Sequence, residues 1–191
     1  MENKNLIFIR FGTLSILILL IAFSRLVPHP MNFAPMGAMA LFGAAYFTKK
    51  WQAFFIPVAA TWLSDLFINN VIYAQYYSSF VWFNGSWQYG AYVTIVLCGF
   101  LIFKSISLLR VLFGSLCSTI LFFTISNFGV WYSGNMYSPD INGLITCYIA
   151  GIPFLGNTFL GDVFYSSVLF GTFYLMQQII PQLQTKNTVI H

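Results

Sequence analysis

The sequence predicts an all-α membrane protein with six transmembrane helices and one short re-entrant or interfacial helix. The chain is 59% hydrophobic and only 6% charged, whereas a soluble domain carries roughly a quarter charged residues. Its apolar residues form runs of about 20 residues, the length that an α-helix needs to cross a bilayer. We expect these runs to form a single transmembrane domain over residues 1–191.

Six apolar runs are candidates for the spans, and two of them are short enough to need tilt or local bilayer thinning. They cover residues 6–26, 33–48, 51–72, 89–103, 107–128 and 157–180. The first is longer than the core of a signal peptide, which favours a retained span. A further apolar piece, residues 143–155, contains Pro153 and is too short to span. We expect it to form the re-entrant or interfacial helix, packed against protein.

Basic residues alternate between the connections and predict the orientation. Seven of them lie at the chain ends or in alternate connections: Lys4, Arg10, Lys49, Lys50, Lys104, Arg110 and Lys186. The connections 73–88 and 129–142 contain no Lys or Arg. Because basic loops stay in the cytoplasm, both termini are predicted to be cytoplasmic, in a bacterial inner membrane. The basic residues are single and scattered, so nucleic-acid binding is not expected.

Three ionisable groups lie where charges are rare, at the outer half of the predicted membrane region. Arg25 closes the first run, Asp65 lies about 21 Å along the third, and Asp162 lies roughly 8 Å inward from the outer end of the last. Ionisable groups in a membrane are costly and mark functional sites. Three interpretations stay open: contact with a ligand, pairing between helices, and proton coupling.

The predicted pocket combines these groups with neighbouring polar and aromatic residues. Its candidate ligand-binding residues are Arg25, Asn32, Asp65, Asn127, Trp131 and Asp162. Arg25 would pair with a substrate carboxylate or with one of the acids, and the acids would accept hydrogen bonds or balance a cation. The two Asn would bind polar substituents and Trp131 would stack. The aromatic connections 73–88 and 129–142 would either cover this pocket as a lid or lie on the lipid surface.

Catalytic and cofactor-binding patterns are weak. His29 stands between two prolines and is best interpreted as a turn residue, and no HExxH or GxSxG motif occurs. The three cysteines lie in apolar runs without CxxC spacing. We therefore expect no metal and no cofactor, and we lean towards a protein that is not an enzyme. An intramembrane enzyme that acts on a lipid or isoprenoid is the least favoured alternative.

The second run has a surface of small residues, which we call the small surface: Gly37, Ala40, Gly43 and Ala44. Small residues at this spacing let helix backbones approach closely in lipid. The small surface would pack inside the monomer or dock a partner helix.

Two resemblances extend these predictions. The run Arg25-Leu-Val-Pro-His-Pro-Met-Asn-Phe-Ala-Pro35, with later blocks at 126–131 and 157–162, resembles an uncharacterised bacterial integral-membrane family with no known activity. More distantly, six spans, cytoplasmic termini and an outward site resemble the substrate-binding (S) components of energy-coupling-factor transporters.

The second resemblance implies a small-solute-binding subunit, surrounded by lipid, that works with a transmembrane coupling protein and its ATPase subunits. In that family a small-residue surface on the first span docks the partner, whereas here it lies on the second. The competing hypothesis is a structural or assembly subunit of a larger membrane complex.

Overall fold

The computed structural model describes residues 4–134 and 136–184, which form six α-helices and no β-strand. The all-α prediction is confirmed. Lys186 and the side chain of Lys4, which contribute to the predicted orientation, lie outside the described part. The helices are α1 (Lys4–Phe23), α2 (Met36–Tyr46), α3 (Lys50–Phe67), α4 (Ser86–Ile102), α5 (Leu108–Ser133) and α6 (Ile141–Ile179).

Four of these helices are long and apolar enough to cross a membrane. They are α1 with the 3-10 turn Ser24–Leu26, α3 with the π-helical turn Ile68–Ile72, α5 and α6. Helices α2 and α4 have 11 and 17 residues, or about 17 and 26 Å against a hydrocarbon thickness of about 30 Å. Large apolar side chains such as Leu101, Leu109 and Ile179 face outward, as helices in lipid require.

Helix α2 is enclosed by the other helices of the same chain. Of its 11 residues all but Ala45 are buried, and α2 contacts the five other helices. A Cβ atom on Gly43 would lie 3.1 Å from the backbone oxygen of Ala53 in α3, and one on Gly99 in α4 would lie 2.6 Å from the Cβ of Ala44. The small surface is therefore occupied within the monomer. This burial favours packing inside the monomer over docking of a partner helix, because α3 and α4 occupy the space beside the small residues.

Helix α6 is continuous over 39 residues, so the prediction of a separate short helix at 143–155 is wrong. Pro153 is accommodated inside the helix, as prolines often are where neighbouring helices supply contacts. Those contacts come from α5: Tyr148 donates a hydrogen bond to the Thr124 carbonyl at 2.7 Å, and the Cys147 thiol contacts the Asn127 carbonyl at 3.3 Å. At the start of α6, the Gly143 N–H lowers the pKa of the exposed Asp140 carboxyl.

Basic residues gather at one end of the bundle. Arg10 in α1 donates to the Tyr46 carbonyl at the end of α2, 3.1 Å away, and the Lys50 ammonium lies 5.7 Å from the ring centre of Phe100 near the end of α4. Arg110 opens α5. We call this the basic end. At the opposite end, α1 and α3 finish and α2 and α4 begin, which brings Arg25, Asp65 and the start of α2 together.

Gly99→Ala tests the close packing of α2 against α4. The added methyl would overlap with Ala44, and overpacking of this kind costs about 1–3 kcal/mol. We expect a lower midpoint of thermal unfolding in detergent. Gly90→Ala is the matched control on the same helix, because nothing lies within 4 Å of its Cβ position. Equal midpoints for the two variants would contradict the packing of α2.

Candidate functional site

A partly buried ion pair joins three helices near the end of α1. Arg25 Nη1 lies 2.6 Å from Asp65 Oδ1, and the two side chains are 13% and 15% exposed. The same nitrogen donates to Ser64 Oγ at 2.6 Å, and the Tyr89 hydroxyl donates to Asp65 Oδ2 at 2.6 Å. The pair therefore links the turn after α1 to α3 and α4. Each charge is neutralised by the other, whereas a single unpaired ion at this position would be strongly destabilising.

The second acid, Asp162, lies apart from that pair and against the start of α2. It is 2% exposed and accepts a hydrogen bond from Thr119 Oγ1 in α5 at 3.0 Å. Its carboxylate also faces the backbone N–H of Ala38 in the first turn of α2. A Cβ atom on Gly37 would overlap with Asp162 Oδ1 and Ser118 Oγ, so glycine is required for this approach. Within the described ranges, Asp162 forms no ion pair with Lys or Arg.

A cavity of about 230 Å³ lies between these two groups. Its walls come from the α1–α2 connection and from α2, α3, α4, α5 and α6. Polar and apolar side chains alternate around it: Arg25, His29, Asn32, Ala34, Met36, Gly37, Ile68, Tyr73, Gln88, Tyr92, Ser118, Phe122, Thr158 and Asp162. Asn32 has a φ of 62°, a left-handed conformation that Asn tolerates better than most residues. A cavity with polar groups from several elements is suited to binding a small solute.

The predicted site residues divide into three groups. Arg25, Asn32 and Asp162 line the cavity, and Asp65 stands behind Arg25 as its partner. Asn127 lines a neighbouring cavity of about 170 Å³, of which Asn32 also forms part. Trp131 does not reach either lining. Its indole N–H donates to the Ser138 carbonyl at 3.0 Å and so holds the connection between α5 and α6.

Several lining residues were not predicted, namely Tyr73, Gln88, Tyr92, Ser118 and Thr158. One signal was present in the sequence. Ser115, Ser118 and Thr119 recur at helical spacing in an apolar run, which places three hydroxyls on one surface of α5. The local sequence around the other four residues carries no signal for a cavity. The fold alone brings them to its wall.

The aromatic connection after α3 lies beside that helix. Trp62 Nε1 donates to the Trp82 carbonyl at 2.9 Å, and the Asn70 side chain exchanges two hydrogen bonds with the Val81 backbone. Tyr73 lines the cavity, whereas Phe80 and Trp82 are 55% and 67% exposed. This arrangement favours the interpretation of interfacial aromatics over that of a lid.

The fold and the cavity define an all-helical protein with membrane-type apolar helices and a polar cavity near one end. Residues 5–183 match the model of DUF6580, a family of unknown function, and the chain belongs to that family. No curated protein and no solved structure matches the chain.

Asp65→Asn tests the ion pair as a structural link. It would leave the partly buried Arg25 without its counter-ion. Breaking a fully buried pair costs about 3–5 kcal/mol, and we expect a smaller cost at the exposure of this pair. We expect a clear loss of thermal stability in detergent. Asp140→Asn is the control, because Asp140 is exposed and Asn is as good a helix cap as Asp. If both variants unfold at the wild-type temperature, the Arg25–Asp65 pair does not link the helices.

Proposed function

We propose that this protein is a small-solute-binding membrane subunit of the transporter type, with its cavity open to the extracytoplasmic side. The observation that carries the proposal is the cavity of about 230 Å³ with the buried Asp162 in its wall. Buried polar groups in an apolar bundle are costly unless they are partnered or used. The cavity gathers polar side chains from the α1–α2 connection and from α4, α5 and α6.

The orientation belongs to the same proposal. The cavity lies at the end opposite the basic end, where Lys50 and Arg110 are found. By the positive-inside rule the basic end is cytoplasmic, and the cavity then opens outward from a bacterial inner membrane. Both termini are cytoplasmic in this arrangement.

The resemblance to substrate-binding components of energy-coupling-factor transporters suggests how binding is used. A transmembrane coupling protein with ATPase subunits would carry out the energised step. Since the small surface is enclosed, such a partner would contact the outward surfaces of the long helices, such as α1, α5 and α6.

A structural or assembly subunit is the second candidate. It is favoured by the direct helix-linking contacts of both acids: Asp65 with Arg25 and Tyr89, and Asp162 with Thr119. In that function the cavity would hold only water.

Native mass spectrometry of the full-length protein from its source membrane tests solute binding. We expect a retained small molecule, and a bound fraction at least about tenfold lower in Asp162→Asn, because charge-assisted hydrogen bonds contribute about 1.5–3 kcal/mol. Trp131→Phe is the control outside the cavity and should retain the molecule. Equal retention in Asp162→Asn, or a ligand-free wild type, would contradict binding at this site. Co-purified ATPase subunits would separately support the transporter class.

Cysteine labelling tests the orientation. In a full-length variant without the three native cysteines, Ser79→Cys should react with a membrane-impermeant maleimide on intact cells. Ser105→Cys, in the connection between α4 and α5, should react only after the cells are permeabilised. The reverse pattern would place the basic end outside.

A further inference from the structure

We propose that the cavity takes a small organic monocation, with an ammonium group placed at Asp162. This inference rests on the proposed binding function and names the chemical class of its solute. It follows from the charges that line the cavity, from an unused hydroxyl in its wall and from its size.

The positive charge in the wall is already neutralised. Arg25 is held by Asp65 and Ser64, both 2.6 Å from the same nitrogen, and Asp65 is further bound by Tyr89. A solute carboxylate that reached the remaining guanidinium nitrogens would meet a pair whose net charge is already zero. Among the described residues, the Arg25–Asp65 pair therefore offers no uncompensated positive charge for the recognition of an anion.

The negative charge in the wall is not neutralised in the same way. Asp162 has two hydroxyls, those of Thr119 and Ser118, and the N-terminal end of α2 as neighbours. A helix N-terminus carries only about half a positive charge, so it offsets part of the carboxylate. A carboxylate offers about four acceptor positions, and Asp162 keeps part of this capacity for the cavity that it lines.

An unused hydroxyl gives independent support. The Tyr92 hydroxyl is buried without a hydrogen-bond partner among the described residues, although Tyr92 is only 3% exposed and lines the cavity. A buried hydroxyl without a hydrogen-bond partner is costly, and a bound ligand would supply that partner. Tyr92 and Phe122 stack at 5.9 Å with ring planes 4° apart. Both rings line the cavity, and aromatic rings attract cations that lie over their faces; we call them the aromatic wall.

The size of the cavity is suited to a small organic molecule. Its volume of about 230 Å³ is below the range of pockets that hold drug-sized ligands. A bare cation would leave most of this space unfilled. A small ammonium compound fills it and reaches both Asp162 and the aromatic wall.

The test measures the charge preference of the cavity without knowledge of the natural solute. Thr158 lines the cavity, so Thr158→Cys is made in the full-length protein without native cysteines. Its reaction rates are measured with a cationic aminoethyl and an anionic sulfonatoethyl methanethiosulfonate. Relative to the rates of the two reagents with a small free thiol, we expect the cationic reagent to react at least about tenfold faster, and Asp162→Asn to bring this normalised ratio close to one. Asp140→Asn, outside the cavity, should leave the ratio unchanged.

A second variant keeps the test decisive if Asp162→Asn does not fold. Gln88→Lys adds an ammonium group at the exposed side of the cavity and should reverse the preference. Equal rates, or a faster anionic reagent, in the protein that keeps Asp162 and Gln88 would overturn the monocation inference but leave a water-filled cavity. Failure of both reagents to react would show that the cavity is closed, and would overturn the proposed function itself.

Discussion

The first turn of α2 lies inside the bundle, and the rest of the structure depends on how its backbone N–H groups are satisfied. A helix leaves its first N–H groups without partners, and surrounding apolar helices cannot replace water. Asp162 from α6 meets this turn at Ala38, with Thr119 from α5 bound to the same carboxylate. Gly37 allows the approach because any side chain there would overlap with Asp162. One carboxylate thus fixes three helices.

The cavity is a consequence of the depth at which α2 begins. Ser118 lies beside Gly37 and 15 residues before the end of α5 at Ser133, about 23 Å along the helix. The proline-containing connection from α1 fills only part of the space between the N-terminal end of α2 and the end of the bundle. That connection approaches α6 closely, since a Cβ atom on Gly161 would lie 2.9 Å from the backbone nitrogen of Ala34. The unfilled remainder is the space between Arg25 and Asp162.

Depth could be predicted for runs whose ends were predicted correctly, but position around the helices could not. Counting residues places Arg25 and Asp65 near one end, and the structure has them there. The predicted depth of Asp162 is wrong, because α6 begins at Ile141 and places Asp162 about 32 Å along it. Which acid pairs with Arg25 depends on the rotation and order of the helices, which hydropathy does not encode. The same limit explains Trp131. It lies close to the end of α5 at Ser133, but its side chain contacts the α5–α6 connection and not the cavity. The continuity of α6 depends on contacts with α5 that residue spacing does not show.

The structural and binding roles of Asp162 do not exclude each other. A carboxylate has more acceptor positions than Thr119, Ser118 and the start of α2 occupy, so the group that holds α2 can also face a solute. A cation that pairs with Asp162 would then interact with the same charge that fixes α2. By linkage, a solute that binds the folded protein also stabilises it. If the cavity binds a solute, binding would therefore be coupled to the position of α2, the helix most enclosed in this bundle.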